Sequence, residues 1–223
     1  MADARTLVLV RHGETDWNLA ARAQGHADIP LNATGRAQAC AVASVLVGFE
    51  PVRLWSSDLM RARQTADAIA EATGLTVECD PRLREYDAGE RSGLTHEEAA
   101  QRFPRQYAAA RAGRTGAATL VPGEESTEQV RDRIVPALLD CFAGLADGAT
   151  GVAVLHGACL RVGLTGVIGW PWDDARAFQG LDNGAFCVLT HEVTQDRIRL
   201  ASYNEKALPS PHGPDFVSDG PVG

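Results

Sequence analysis

A chain of 223 residues with 45% hydrophobic content is long enough to bury a substantial core, as one domain or as a core with an inserted cap. Its net charge of −8 argues against broad binding to nucleic acid or anionic membranes, so any phosphate it holds must sit in a local cationic pocket. The first residues lack a basic-then-apolar leader and no apolar run approaches ~18 residues, so the expectation is a cytoplasmic protein that does not span a membrane.

The first predicted element is a buried strand over residues 6–10, from the run Leu7-Val8-Leu9-Val10. Arg11-His12-Gly13-Glu14 follow at its carboxyl end, where open α/β sheets bind ligands. Thr34 reads as the N-cap of a helix running to about residue 47. Residues 52–55 read as strand, Asp58 as the cap of a helix to Thr73 closed by Gly74, and residues 75–79 as strand. Thr95-His96-Glu97-Glu98 is a capping box opening residues 95–103, and Ser126-Thr127-Glu128-Gln129 opens a helix to about residue 145. Pro136 inside that helix predicts a kink, or a break near Val135. Residues 151–155 read as strand, 157–168 as helix, and 185–190 and 197–202 as closing strands.

Strands alternating with helices predict an α/β fold: a three-layer α/β/α sandwich with a mostly parallel central sheet. Residues 91–125 interrupt that rhythm and are the candidate for a small helical cap, although an ordinary surface excursion explains them too. The expected organisation is one domain over residues 1–204 and a Pro- and Gly-rich tail over 205–223. The five scattered cysteines (Cys40, Cys79, Cys141, Cys159, Cys187) suit buried free thiols in a reducing compartment. The spacing of Gly163, Gly166 and Gly169 reads as helix packing rather than a dinucleotide fingerprint.

His156-Gly157 repeats the strand-end pattern of His12-Gly13, which points two imidazoles at one ligand across neighbouring strands. Read in full, Leu9-Val10-Arg11-His12-Gly13-Glu14-Thr15-Asp16-Trp17-Asn18 resembles the signature of the histidine phosphatase superfamily, cofactor-independent hydrolases related to phosphoglycerate mutase. Four more blocks follow in that family's order: Gln24-Gly25 with Asp28 and Pro30-Leu31; Ser56-Ser57-Asp58-Leu59 with Arg61; Leu83-Arg84-Glu85-Tyr86; and Leu155-His156-Gly157. Together they span most of residues 7 to 203.

The resemblance implies a phosphomonoesterase for a small phosphorylated metabolite, working without metal or cofactor. His12 is the candidate nucleophile, forming a phosphohistidine, with its other ring N–H held by a carbonyl. Arg11 and Arg61 are the expected clamps, because a planar guanidinium grips two phosphate oxygens at once. Arg63, about 200° round the helix from Arg61, is expected to face solvent. Asn18 and the Gln24-Gly25 turn resemble further phosphate ligands. His156 stabilises charge on the moving group as a cation or N–H donor, and Gly157 adds a backbone N–H. Glu85 is the candidate general acid and base, with Glu90 as the alternative. His26, His96, His191 and His212 carry no motif, though His26 is close enough to Gln24-Gly25 to line a pocket.

Other chemistries fail on inspection. His96-Glu97-Glu98-Ala99-Ala100 lacks the second histidine of a zinc helix, and no Gly-x-Ser-x-Gly elbow or P-loop is present. Glu85 stands six positions after Cys79, where a cysteine phosphatase needs arginine. No carboxylate cluster suggests a required magnesium ion. Two alternatives stay open: a phosphoglycerate mutase, disfavoured by Tyr86-Asp87-Ala88-Gly89 after the acid glutamate, and a non-catalytic phospho-ligand-binding protein. The expected partner is a small phosphorylated metabolite, with no nucleic acid or membrane, acting on a monomer or homodimer. Arg91, Arg102, Arg105, Arg111 and Arg114 make the 91–125 stretch basic, which suits a second anionic group on the substrate or a solvated helix face equally.

Overall fold

Leu7 and Leu9 point to one side of the first strand and Val8 and Val10 to the other, and all four are buried. A strand buried on both faces belongs in the middle of a covered sheet, and a computed structural model describing residues 4–114, 116–171 and 178–207 has it there. Most of the predicted tail, and His212 with it, lies outside the described residues.

The strands are β1 (Ala4–Arg11), β2 (Arg53–Ser56), β3 (Val77–Cys79), β4 (Thr150–Leu155), β5 (Phe186–Glu192) and β6 (Arg197–Glu205), in sheet order β3-β2-β4-β1-β5-β6. The first four run parallel, β5 is antiparallel to β1, and β6 is antiparallel to β5. The helices are α1 (Asp16–Leu19), α2 (Ala33–Leu46), α3 (Met60–Thr73), α4 (His96–Arg102), α5 (Pro104–Arg111), α6 (Thr127–Ala143) and α7 (Gly157–Val167). Val42, Leu46, Ala62, Ala66 and Ile69 of α2 and α3 cover the valine face of β1. Val130, Ile134, Leu138, Phe142, Leu160 and Leu164 of α6 and α7 cover the leucine face, which completes the expected sandwich. A satellite cluster of Ala99, Phe103 and Val121 holds α4 and α5 to the turn that follows them. Among the described residues no helix is long and apolar enough to cross a membrane.

Register sets up the site. Arg11 of β1 pairs with Leu155 of β4, and Ser56 of β2 pairs with Val154. His12, His156 and Ser57 therefore leave the sheet together at its carboxyl edge.

Several local expectations are corrected. Asn32, not Thr34, caps α2, accepting from the Gly35 N–H at 2.8 Å. Asp58 does not cap α3; the carboxylate of Asp28 accepts the Met60 N–H at 2.6 Å, and Asp58 pairs with Arg84 instead. The third strand begins at Val77 rather than Leu75. The helix carrying Pro136 runs on to Ala143, so of the two expectations, a kink or a break near Val135, the break does not occur: burial of Ile134, Ala137, Leu138, Cys141 and Phe142 holds both halves to the core. Both capping boxes, at Thr95 and Ser126, form as expected. All five cysteines are free, but Cys40 and Cys79 are exposed and only Cys141, Cys159 and Cys187 are buried. Gly163 and Gly166 do serve packing, since a Cβ there would meet Leu138 at 2.7 Å and Val135 at 2.2 Å of α6, whereas Gly169 lies beyond α7 with φ +75°.

Candidate functional site

His12 sits where β1 ends, 3% exposed, with its backbone N–H on the Leu155 carbonyl at 3.0 Å. Its Nδ1 lies 2.7 Å from the Gly13 carbonyl, an acceptor only, so Nδ1 carries the proton and Nε2 the lone pair. The loop is held at several points. The Gly13 N–H donates to Thr65 Oγ1 of α3 at 3.1 Å, and Asn183 Nδ2 donates to the His12 carbonyl at 3.1 Å. A Cβ on Gly13 would fall 2.3 Å from the Gly35 carbonyl oxygen, so this approach of backbone to backbone requires glycine.

The second imidazole faces the first: the ring centroids of His12 and His156 are 5.1 Å apart, at 62°. Arg61 Nε lies 3.1 Å from His156 Nδ1, and since guanidinium only donates, that nitrogen must be the acceptor. Nε2 then carries the proton and donates to Ser57 Oγ at 2.8 Å. The ring is thus fixed as a neutral tautomer with its N–H donor at Nε2, one of the two forms expected of it. Burial first, and the Arg61 charge second, push both histidines well below the usual imidazole range.

Arg61 is fully buried on α3. Its Nη1 donates to the Ala27 carbonyl and its Nη2 to the Gly25 carbonyl, each at 2.8 Å. Gly25 has φ +53°, and a Cβ on it would lie 2.6 Å from Ala88, so glycine is needed to turn that carbonyl onto the arginine. The ordinary (i, i+3) pair with Asp58 does not form, because Asp58 is on Arg84. Burial drags the Arg61 guanidinium down to about 10, with Glu85 opposing. Arg11 donates through Nη1 to the Leu181 carbonyl, and its Nε is buried without a partner. Burial lowers it as well, against Glu85 and Asp182. The guanidinium lies across the start of α7, where a Cβ on Gly157 would sit 3.2 Å from Arg11 Nε. Two confined guanidiniums bonded to carbonyls rather than carboxylates make a site suited to an anion.

Glu85 is close enough to both cations to oppose their pKa shifts, and it lines the adjoining cavity. Its Oε1 accepts from the N–H groups of Tyr86 and Cys159, both at 2.9 Å, and its Oε2 from Ala158 at 3.0 Å. It therefore caps α7, whose own N-cap, His156, makes no side-chain cap bond. The cap leaves one lone-pair position, on Oε2, for a proton. Its backbone carbonyl accepts from Arg133 Nη2 and from His26 Nε2, both at 2.8 Å, so His26 braces the Glu85 loop. Glu90, the alternative acid, is tied to Arg102 at 2.9 Å and does not join the cluster. Asn18 Oδ1 accepts from Thr15 Oγ1 at 3.0 Å and from Asn183 at 3.3 Å, which leaves the NH₂ end to donate. Gln24 is buried in the wall of the adjoining cavity. Arg63 is half exposed and bonded to Asp67, as expected.

Three contributors were not foreseen. Ser57 fixes His156, Asn183 ties the His12 loop to Asn18, and Arg133 binds the carbonyls of Arg82, Arg84 and Glu85 while pairing with Glu125 at 2.8 Å. Ser57 stands in a block already singled out and Asn183 in an Asn-Gly turn, but neither signal names a partner. Arg133 sits within a helix and carries no signal.

A cavity of about 400 Å³ opens beside Glu85, lined also by Gln24, Gly25, Arg91, Thr119 and Arg161.

Known proteins resemble this chain in sequence and in fold. The profile of the Histidine phosphatase superfamily (branch 1) matches residues 7–206. A glucosyl-3-phosphoglycerate phosphatase of Mycolicibacterium vanbaalenii is 35% identical over 198 residues, 86% of this chain and 87% of the relative. A probable phosphoglycerate mutase GpmB of Salmonella paratyphi C is 38% identical over 175 residues, 75% of this chain and 77% of the relative. Among solved structures, mycobacterial glucosyl-3-phosphoglycerate phosphatase complexed with VO3 superposes with a TM-score of 0.81 at 35% identity, covering 91% of this chain and 100% of that one. A phosphoserine phosphatase mutant of Entamoeba histolytica, in complex with phosphoserine, gives 0.76 at 29% identity, covering 90% and 97%.

Proposed function

The chain belongs to the histidine phosphatase superfamily, and from that premise we propose that it hydrolyses the phosphomonoester of a small, sugar-bearing metabolite through a phosphohistidine on His12. One observation carries the reading: an uncharged His12, its Nε2 lone pair free, lies 5.1 Å from His156 and close to two confined guanidiniums.

The reaction proceeds as two displacements. His12 Nε2 attacks phosphorus while the bond to the ester oxygen breaks, and a proton on Glu85 Oε2 passes to the departing alkoxide. Arg11, Arg61, the Asn18 amide and the Gly157 N–H hold the phosphoryl oxygens, and Gln24 lines the approach. Glu85, now a carboxylate, takes a proton from water. The hydroxide oxygen attacks phosphorus, the N–P bond breaks, and its electron pair returns to Nε2. The Nε2–H of His156, shared with Ser57 Oγ, donates a hydrogen bond toward the phosphoryl group and keeps its proton. Residues 91–125 act as the cap over the leaving group, supported by the place of Thr119 and Glu124 in the cavity wall beside Glu85.

The test is phosphate release by wild type and His12→Ala, with acid quench to trap acid-labile phosphate on the protein. Loss of both in the variant is the expected result; equal rates would remove His12 from the mechanism. The mutase relative keeps a second reading in view: water and a product hydroxyl compete for the same phosphohistidine. Incubation with 3-phosphoglycerate separates them, since the hydrolase releases phosphate and a mutase forms 2-phosphoglycerate without releasing it. A purely binding protein would do neither.

A further inference from the structure

The cavity beside Glu85 ends at an ion pair, Arg91 Nη2 on Glu124 Oε1 at 2.6 Å, and Thr119 stands beside it. Beyond those three residues lies a second cavity of about 410 Å³, built by α4, α5 and the turn that follows. Its other walls include His96, Gln106, Tyr107 and Arg111. The Tyr107 ring is set edge-on to His96, centroids 4.9 Å apart, and rests on the Ala99–Phe103–Val121 cluster. Glu124 is pinned from both sides, because its Oε2 also accepts the Val121 N–H at 3.1 Å.

We propose that this second cavity is the distal half of the substrate site and takes a glycosyl or similarly hydroxyl-bearing end of the leaving group, an inference that rests on the hydrolase reading above. The leaving oxygen must start at Glu85, so the leaving group runs into the first cavity. The two cavities share Arg91, Thr119 and Glu124 as lining, so a leaving group longer than three carbons extends along that shared edge toward the second cavity. The wall chemistry selects what arrives. Arg111 only donates, Glu124 only accepts, and Gln106 does both. Hydroxyl groups, which both donate and accept, satisfy such a mixed set, while an apolar group would strip water from it without replacement. A second phosphate would face the Glu124 carboxylate at the dividing wall and is disfavoured. Arg91 Nε, buried and without a hydrogen-bond partner, gives the dividing wall a further donor.

The test uses Gln106→Ala and Arg111→Ala, whose side chains lie outside the apolar cluster that holds the cap together. With glucosyl-3-phosphoglycerate as substrate, each variant raises KM by about tenfold with kcat within about twofold, the loss of one hydrogen bond. With 3-phosphoglycerate and an aryl phosphate, too short to reach the cavity, KM is unchanged. An unchanged KM for the glucosyl ester overturns the assignment, and so does an equal loss on all three substrates, which marks a change in cap structure. If wild type cleaves the aryl phosphate but not the glucosyl ester, the subsite fails while the hydrolase reading stands. If it cleaves no ester, the hydrolase reading fails, and saturation-transfer NMR with glucosylglycerate then decides the cavity. Signal present in wild type and lost in both variants supports it; no signal in wild type rules it out.

Discussion

At Arg61, one residue does the work of three. Its five donors are spread over two carbonyls, one imidazole and the anion position, so lysine cannot replace it although the charge is kept. Arg61→Lys is expected to lower kcat/KM by about a hundredfold or more, the scale of losing one oriented donor at a charged transition state, with the fold intact by circular dichroism. Residual activity near wild type would mean that charge alone suffices. The catalytic candidates were legible because their chemistry and strand-end position are local: Arg11, His12, Arg61, Glu85 and His156 all meet at one edge. Their supports were not. Ser57 and Arg133 act through partners 99 and 48–51 residues away, and nothing in a linear pattern records such a pairing.

Two elements meet the site in ways that separate structure from chemistry. Glu85 caps α7 and, in the proposed mechanism, also passes a proton, so its removal conflates the two. Glu85→Gln keeps an acceptor for the Tyr86 and Cys159 N–H groups and is expected to cost about 1 kcal/mol in urea denaturation, the worth of a partly retained cap. Its kcat should fall at least about a hundredfold on an alkyl phosphate, whose alkoxide needs a proton, and far less on an aryl phosphate, whose phenolate does not. Equal losses on both esters would assign Glu85 to the cap alone. The first turn of α2 packs against the loop after His12, where a Cβ on Gly35 would lie 2.0 Å from the Glu14 carbonyl oxygen. Alanine in a helix gains about 1 kcal/mol over glycine, but backbone cannot yield as a side-chain tip can, so the clash wins. Gly35→Ala is expected to destabilise by about 1–3 kcal/mol, lowering Tm by several degrees, while Gly48→Ala, with nothing within 4 Å, is the neutral control. Most helices and strands were readable from their apolar periods, whereas the short helices α1 and α5 were not. Caps were less readable, since α3 takes its cap from Asp28, which is remote in sequence.

Over the whole molecule, the sandwich was legible but the sheet order was not, because the pairing of Arg11 with Leu155 depends on which strands become neighbours. That pairing buries two imidazoles side by side, and the burial has a global consequence. Both histidines are held neutral in the fold, pushed down from an ordinary value of 6.5, while the unfolded chain protonates them normally. Below that pH the unfolded state binds more protons, so stability falls as pH drops, by up to about 1.4 kcal/mol per pH unit for each histidine. The carboxylates held low by arginine, Asp58 and Glu125 among them, act in the same direction but in a lower range. Their contribution is full above the ordinary carboxylate values and is lost only as pH falls further, which leaves the interval between about 4.5 and 6.5 to the histidines. Urea titrations at several pH values across that interval should therefore show a falling midpoint. Inorganic phosphate should flatten the slope, since an anion against the rings favours their charged form and binds only the folded state. His156→Gln should remove part of the slope; a slope identical to wild type would place the acid sensitivity elsewhere.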